Sequence, residues 1–151
     1  MEKFKDINQI LEFAIKNEEE AYDFYTQLSV KQENPAIKEL FSLFAKEELK
    51  HKAKLQEAKS GNLSGFPVNK IQNLNISEYM VDVQPGADMS YQETLILAMK
   101  KEKKAFLLYT NLAEIATDDG IKNLFLMLAQ EEAKHKLRFE IEYDNTILTE
   151  N

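Results

Sequence analysis

A pattern of acidic residues and histidines repeats in this sequence at a fixed offset of 84 residues. In each copy, a glutamate is followed 30 residues later by a Glu-x-x-His motif. The residues are Glu18, Glu48 and His51 in the first copy, and Glu102, Glu132 and His135 in the second. Four carboxylates and two imidazoles supplied by helices form the ligand set that binds two adjacent iron or manganese ions in helical bundles. The pattern therefore predicts a dinuclear metal site.

The helical phase of the two isolated glutamates indicates that both point into a core. Three, four and seven residues to either side of Glu102, the sequence places only apolar or aromatic residues, and the same holds for Glu18. The lysines next to Glu102 fall on the other face of the predicted helix. The repeat also separates Glu18 from Glu19 and Glu20, because those two align with lysines.

Four buried carboxylates would be costly alone, because desolvation and mutual repulsion both oppose their burial. Two divalent cations would balance the four negative charges while both imidazoles stay neutral. Mixed carboxylate and imidazole ligands favour Fe(II) or Mn(II) over calcium, which prefers oxygen, and over the thiolate sites of structural zinc. A lone Glu-x-x-His motif is usually a surface pair or a core residue. Two copies in phase with two further glutamates favour the metal site over a metal-free bundle.

Four long helices are predicted to position these residues, since apolar residues recur at three- and four-residue steps. The first helix is expected from about residue 7 to 31, and Asp6, Asn34, Ser90 and Asp118 are typical residues for helix starts. Aligning 11–59 with 95–143 matches 18 of 49 residues without a gap, so each half is a similar helical hairpin.

The predicted fold is all-α: a four-helix bundle of two helical hairpins within a single domain, 1–151. The hairpins span 7–60 and 91–145, and residues 61–90 form a long crossover that is rich in glycine and proline. Within the crossover, 76–83 is expected to form one short helix or extended piece.

Composition excludes several classes of function. The chain has 151 residues, no cysteine and a formal net charge of -7, so it has neither disulfides nor a thiolate metal site. The negative charge argues against nucleic acid or an anionic membrane as a partner. The sequence contains no apolar run long enough for a membrane span and no signal core at its start. A cytoplasmic protein is therefore expected.

The paired motifs resemble the rubrerythrin branch of the ferritin-like superfamily. The resemblance rests on Glu18-x-x-Ala21-x-x-Phe24-Tyr25 with Glu48-x-x-His51, and on Glu102-x-x-Ala105-x-x-Leu108-Tyr109 with Glu132-x-x-His135. It implies a ferritin-like bundle with two iron ions, for which manganese or zinc can substitute. The six glutamates and histidines would be the ligands, with Glu48 and Glu132 as bridging carboxylates. It also implies reduction of hydrogen peroxide or dioxygen.

Two departures from that family bear on the expected activity. Rubrerythrins proper end in a four-cysteine rubredoxin module, and this chain has no cysteine. Turnover would therefore need an external electron donor, such as a rubredoxin-like protein. The family also carries an additional glutamate ligand at the place of Ala105. Ferritin-like bundles often pair, so a homodimer is expected.

Aromatic residues are expected to surround the predicted site. Tyr25 and Tyr109 follow the isolated glutamates by seven residues and are predicted core aromatics, whose hydroxyls could hydrogen-bond a ligand carboxylate. A shell that excludes water is predicted from Phe41, Phe44, Phe106, Phe125 and Leu128. Two other functions stay open at this point: iron or manganese handling without redox turnover, and a bundle that serves only for interaction.

Overall fold

Long helices dominate the computed structural model, which describes residues 2–61, 66–81, 86 and 88–150, without the side chains of 68, 149 and 150. The helices are α1 (Ile7–Lys31), α2 (Pro35–Ser60), the short α3 (Val68–Ile71), α4 (Tyr91–Ile115) and α5 (Asp119–Glu150). The predicted first helix is confirmed at both ends. Helix α5 runs beyond 145, where the sequence carried little signal.

Side-chain caps set where the helices begin, because the first backbone N–H groups of a helix lack partners within it. The Asp6 carboxylate accepts from the Gln9 N–H at 2.9 Å, and the Asn34 amide oxygen accepts from the Ala36 N–H at 2.9 Å. Before α4, Ser90 and Glu93 form a reciprocal capping box. These local contacts explain why the starts were predictable from sequence.

The residues Phe4–Gln72 form one compact unit, here called the N-terminal unit, in which α1 packs against α2. Apolar residues that recur on one face of each helix are buried between the two. Tyr25 is fully buried, and its ring lies edge-on to Phe44 with centroids 6.4 Å apart. The Ser29 hydroxyl donates to the Lys38 carbonyl oxygen at 2.7 Å and closes the loop end of this hairpin.

Residues Asn73–Asn151 together with Met1–Lys3 form the second compact unit, here called the C-terminal unit, in which α4 packs against α5. The Tyr91 hydroxyl donates to the Glu142 carboxylate at 3.0 Å and ties the start of α4 to α5. Burial, together with this hydrogen bond to a carboxylate, raises the pKa of Tyr91 well above its ordinary value. The phenol therefore stays a hydrogen-bond donor at neutral pH.

Part of the crossover packs on the outer side of α4. Ile76–Tyr79 forms a 3-10 helix, so the short element expected at 76–83 is helical at its start, and 82–83 lie outside the described residues. The Asn111 amide donates to the Tyr79 hydroxyl at 2.8 Å, and the Lys104 ammonium donates to the Glu78 carbonyl oxygen at 2.8 Å. Leu97 and Leu108 are also buried although they lie away from the inward stripe predicted for α4, and they share a helical face with Lys104 and Asn111.

Residues near the start of the chain form backbone hydrogen bonds with the crossover. Lys3 forms an isolated antiparallel bridge with Asn75, and the Ile76 N–H donates to the Glu2 carbonyl oxygen at 3.1 Å. These bonds order both pieces of irregular backbone. Among the helices in the described ranges, none combines the length and apolar character that crossing a bilayer requires.

The hydrogen bond between Tyr79 and Asn111 is expected to stabilise the C-terminal unit. Tyr79 is 2% exposed, so Tyr79→Phe removes an acceptor from a largely buried amide and should cost about 1 kcal/mol of unfolding free energy. Urea unfolding of Tyr79→Phe, Asn111→Ala and the double variant measures the coupling between the two side chains. A coupling near zero would show that the crossover is held by other contacts.

Candidate metal centre

In the N-terminal unit, three of the predicted ligands come together. Glu18 on α1 and Glu48 and His51 on α2 are each at most 2% exposed. The His51 Nδ1 atom lies 3.6 Å from Glu18 Oε2 and 3.6 Å from Glu48 Oε1. One ligand atom from each residue lies within 4.8 Å of the others. We call these residues the N-terminal triad.

The C-terminal unit repeats this arrangement with the residues 84 positions further along. Glu102 on α4 and Glu132 and His135 on α5 are each at most 2% exposed, and their ligand atoms also lie within 4.8 Å of one another. The His135 Nδ1 atom is 3.6 Å from Glu102 Oε1, the same separation as in the first unit. We call these residues the C-terminal triad.

Helix geometry accounts for both triads. The two residues of a Glu-x-x-His motif are three apart, so they lie on adjacent turns of one helical face. The isolated glutamate comes from the partner helix of the same hairpin. Because α1 packs on α2 and α4 packs on α5, each glutamate is brought to its own motif by hairpin formation alone.

The separations within each triad fit ligands of one metal ion. At 3.6 Å, the imidazole nitrogen and the carboxylate oxygens are further apart than the roughly 2.7–3.2 Å of an N–H···O hydrogen bond. Two ligands that each lie about 2.1 Å from an ion, at angles of roughly 90–110°, are separated by about 3.0–3.5 Å. The geometry is therefore closer to that of neighbouring ligands than to that of a histidine–carboxylate hydrogen bond.

The charges of each triad also fit a divalent cation. A triad holds two carboxylates and one imidazole, so with neutral histidine its charge is about -2. One divalent ion balances that charge and restores part of the solvation that the carboxylates lose on burial. The chain has no cysteine, and a mixed oxygen and nitrogen donor set suits iron and manganese.

Comparisons with known proteins agree with this donor set. The family model described as Rubrerythrin matches residues 9–78 and 93–151, which include all six triad residues. The chain belongs to the rubrerythrin family. Among curated proteins, none matches the sequence.

Two solved structures resemble the whole rubrerythrin-family chain. A hypothetical protein from Pyrococcus furiosus is 30% identical, with a TM-score of 0.73 over 92% of this chain and 89% of that one. A candidate ferritin-like diiron-carboxylate protein from Thermotoga maritima is 21% identical, with a TM-score of 0.77 over 97% of this chain and 99% of that one. The second likeness shows the fold, so the predicted ferritin-like helical bundle is confirmed.

The two tyrosines predicted near the site occupy equivalent places in the two hairpins. Tyr25 is fully buried, and Tyr109 is 1% exposed and stacks on Phe125 with centroids 6.1 Å apart. Their burial confirms that they are core aromatics. A hydrogen bond from either hydroxyl to a ligand carboxylate stays a prediction.

The predicted shell of apolar residues is correct except at Phe106. Phe41, Phe44, Phe125 and Leu128 are buried, but Phe106 is 40% exposed. Four residues of helix turn about 400°, so Phe106 is displaced by about 40° from Glu102 around α4, toward the side that carries the exposed Lys103 and Leu107. Phe106 therefore lies at the edge of the inward face. A simple three- or four-residue spacing rule does not separate the edge of a face from its centre.

Replacing one ligand should have opposite effects on metal binding and on the stability of the metal-free chain. We expect Glu18→Gln to lower the metal bound per chain, because it removes a charged ligand. In the metal-free state the same change should raise the urea midpoint, since it removes a buried charge. Elemental analysis after iron loading and urea unfolding of the metal-free protein measure the two effects.

Glu20→Gln is the matched control for that experiment. Glu20 lies two residues away on α1 and is exposed, so the same chemical change should leave both metal content and stability nearly unaltered. Equal loss of metal from both variants would contradict the assignment of Glu18 as a ligand.

Proposed function

We propose that this chain is a non-haem di-iron oxidoreductase that reduces hydrogen peroxide or dioxygen with electrons from an external donor. The observation that carries the proposal is the pair of buried triads, each with two carboxylates and one imidazole, in a member of the rubrerythrin family. The Thermotoga maritima protein that shares this fold is described as a diiron-carboxylate protein, which supports a centre of two ions.

In this proposal, the two triads together bind two iron ions. Six ligands supply four negative charges, which two divalent ions balance. By the resemblance to the rubrerythrin family, Glu48 and Glu132 would be the carboxylates shared by the two ions, and each has two oxygens to offer. The remaining residues of each triad would bind one ion each. Manganese or zinc can occupy the same donor set.

When bound, the two ions would supply one electron each and act as Lewis acids toward the substrate oxygens. Reduction of one hydrogen peroxide to two waters consumes two electrons and two protons. The external donor must therefore return two electrons in each cycle, because the chain carries no cysteine for an iron–sulfur or rubredoxin-type centre of its own.

The protein's own residues are proposed to bind, orient and shield. Phe41, Phe44 and Phe125 are buried and precede Glu48 or Glu132 by four or seven residues, so they share helical faces with these residues and would keep bulk water away. Exclusion of water strengthens the electrostatic interactions within the site. The phenol groups of Tyr25 and Tyr109 are the proposed hydrogen-bond donors that hold ligand carboxylates in place.

Rapid consumption of peroxide by the iron(II)-loaded protein is the direct test. Anaerobic mixing with hydrogen peroxide should oxidise the bound iron within seconds, with one peroxide consumed for every two iron ions. Stopped-flow absorbance in the near ultraviolet measures the rate, and the same concentration of Fe(II) in buffer is the control. Oxidation no faster than that of free Fe(II) would refute the proposed peroxide reduction.

The size of the assembly separates this function from iron storage, since storage in a ferritin-like shell needs many subunits around a hollow centre. We expect a homodimer, with a mass of about twice the 17.5 kDa of the chain. Size-exclusion chromatography with light scattering measures it. A large closed shell would favour metal handling over the proposed oxidoreductase.

A further inference from the structure

The outward face of α4 combines exposed lysines with exposed apolar residues. Ile96, Lys100, Lys103 and Leu107 are spaced by four, three and four residues, so they lie along one helical face. Ile96 and Leu107 are 36% and 37% exposed, and both lysines are exposed. We call these four residues the lysine face. It combines positive charge with accessible apolar side chains on the helix that carries Glu102.

The internal repeat provides a comparison within the same chain. The residues 84 positions earlier occupy the corresponding face of α1, and they are Glu12, Lys16, Glu19 and Asp23. Two of them form ion pairs within the N-terminal unit: Glu12 lies 2.9 Å from Lys59, and Glu19 lies 3.1 Å from Lys52. The face on α1 is therefore acidic and joined to α2.

This comparison shows that neither the hairpin fold nor the ligand set requires the lysine face. The first helix of each hairpin has 25 residues. Each hairpin also holds a triad of two glutamates and one histidine. They differ on the outward face, where α1 has two acidic residues at the positions of Ile96 and Leu107. The apolar and basic character of the α4 face is therefore not set by the features that the two hairpins share.

Charge indicates the kind of partner that this face fits. The chain has a net charge of -7, yet α4 carries four lysines within residues 100–104. Lys104 contributes to folding, because it donates to the Glu78 carbonyl oxygen. Lys100 and Lys103 are exposed, so they place positive charge on the surface of a chain whose net charge is negative. Such charge attracts an acidic protein surface, and the exposed Ile96 and Leu107 gain from being covered.

The lysine face lies close to a residue of the C-terminal triad. Lys103 adjoins Glu102 in the chain, and an α-helix with side chains is only about 10–12 Å across. A protein docked on the lysine face would therefore lie about one helix diameter from a triad ligand. Four residues make a small contact, typical of transient redox encounters that bury less than about 1,200 Å².

We propose that the lysine face docks an acidic one-electron carrier protein that reduces the metal centre; this rests on the proposed function. Each peroxide reduced, H₂O₂ + 2 e⁻ + 2 H⁺ → 2 H₂O, requires two electrons, so a one-electron carrier must dock twice. Rapid release between the two encounters suits a small charged interface.

Charge reversal at equivalent positions of the two repeats tests the docking site. Lys100→Glu alters the lysine face, and Lys16→Glu makes the identical change at the aligned, exposed position on α1. The probe is a purified acidic rubredoxin. Its affinity for the metal-loaded protein is measured by titration calorimetry at low salt, and the second-order rate of its oxidation by the iron(III)-loaded protein is measured by stopped flow.

Lys100→Glu should weaken rubredoxin binding and lower the second-order rate about tenfold, whereas Lys16→Glu should change either by less than about twofold. The difference should shrink at about 0.5 M salt, since screening removes surface electrostatics. Equal effects of the two variants, or no effect of either, would overturn the docking site. Peroxide oxidation of the iron(II)-loaded wild type, measured without rubredoxin, tests the proposed function separately.

Discussion

Two carboxylates buried beside an imidazole form the constraint on which each hairpin depends. Glu18 and Glu48 are at most 2% exposed, as are Glu102 and Glu132, so none of these charges is solvated by bulk water. Burial of such groups costs several kcal/mol per ion unless an opposite charge offsets it. A cation held by both helices of a hairpin would supply that charge. Metal binding and hairpin stability would then be coupled, and substitution of a triad residue would affect both.

The same constraint explains which parts of the two repeats are alike and which differ. The triad residues and the apolar residues one turn away from them must keep their helical phase, because a shift of one residue rotates a side chain by about 100°. The outward faces are not bound by that requirement. On α1 the outward carboxylates pair with lysines of α2, whereas Lys136 on α5 pairs with Glu140 of its own helix. The two hairpins thus share an interior and differ in their exteriors.

Local chemistry made the helix starts and the ligand residues predictable from sequence. The caps at Asp6, Asn34 and Ser90 act within a few residues, and the repeat identified the relevant glutamate in a run of three. The packing of the crossover was not predictable in that way. Tyr79 meets Asn111 from 32 residues away, and no local pattern specifies that contact.

The burial of a second face of α4 is likewise not predictable from local sequence patterns. Leu97 and Leu108 are 2% exposed although they lie off the inward stripe, and they share a face of α4 with Lys104 and Asn111, which bind the crossover. Periodicity detects the single apolar face of a helix, and it does not detect a second layer that is placed by a distant segment. Phe106 shows the converse error. Its spacing from Glu102 predicts a core residue, but its side chain is 40% exposed.

The charge distribution would set how the proposed electron carrier approaches the chain. An acidic carrier and a protein of net charge -7 repel one another over most orientations. At physiological ionic strength this repulsion decays over about 8 Å, so nearby charges decide whether an encounter persists. Lys100 and Lys103 place exposed positive charge on the helix that carries Glu102. Attraction of the proposed carrier to that charge would favour one orientation, so that specificity would arise from charge placement while the contact itself stays weak.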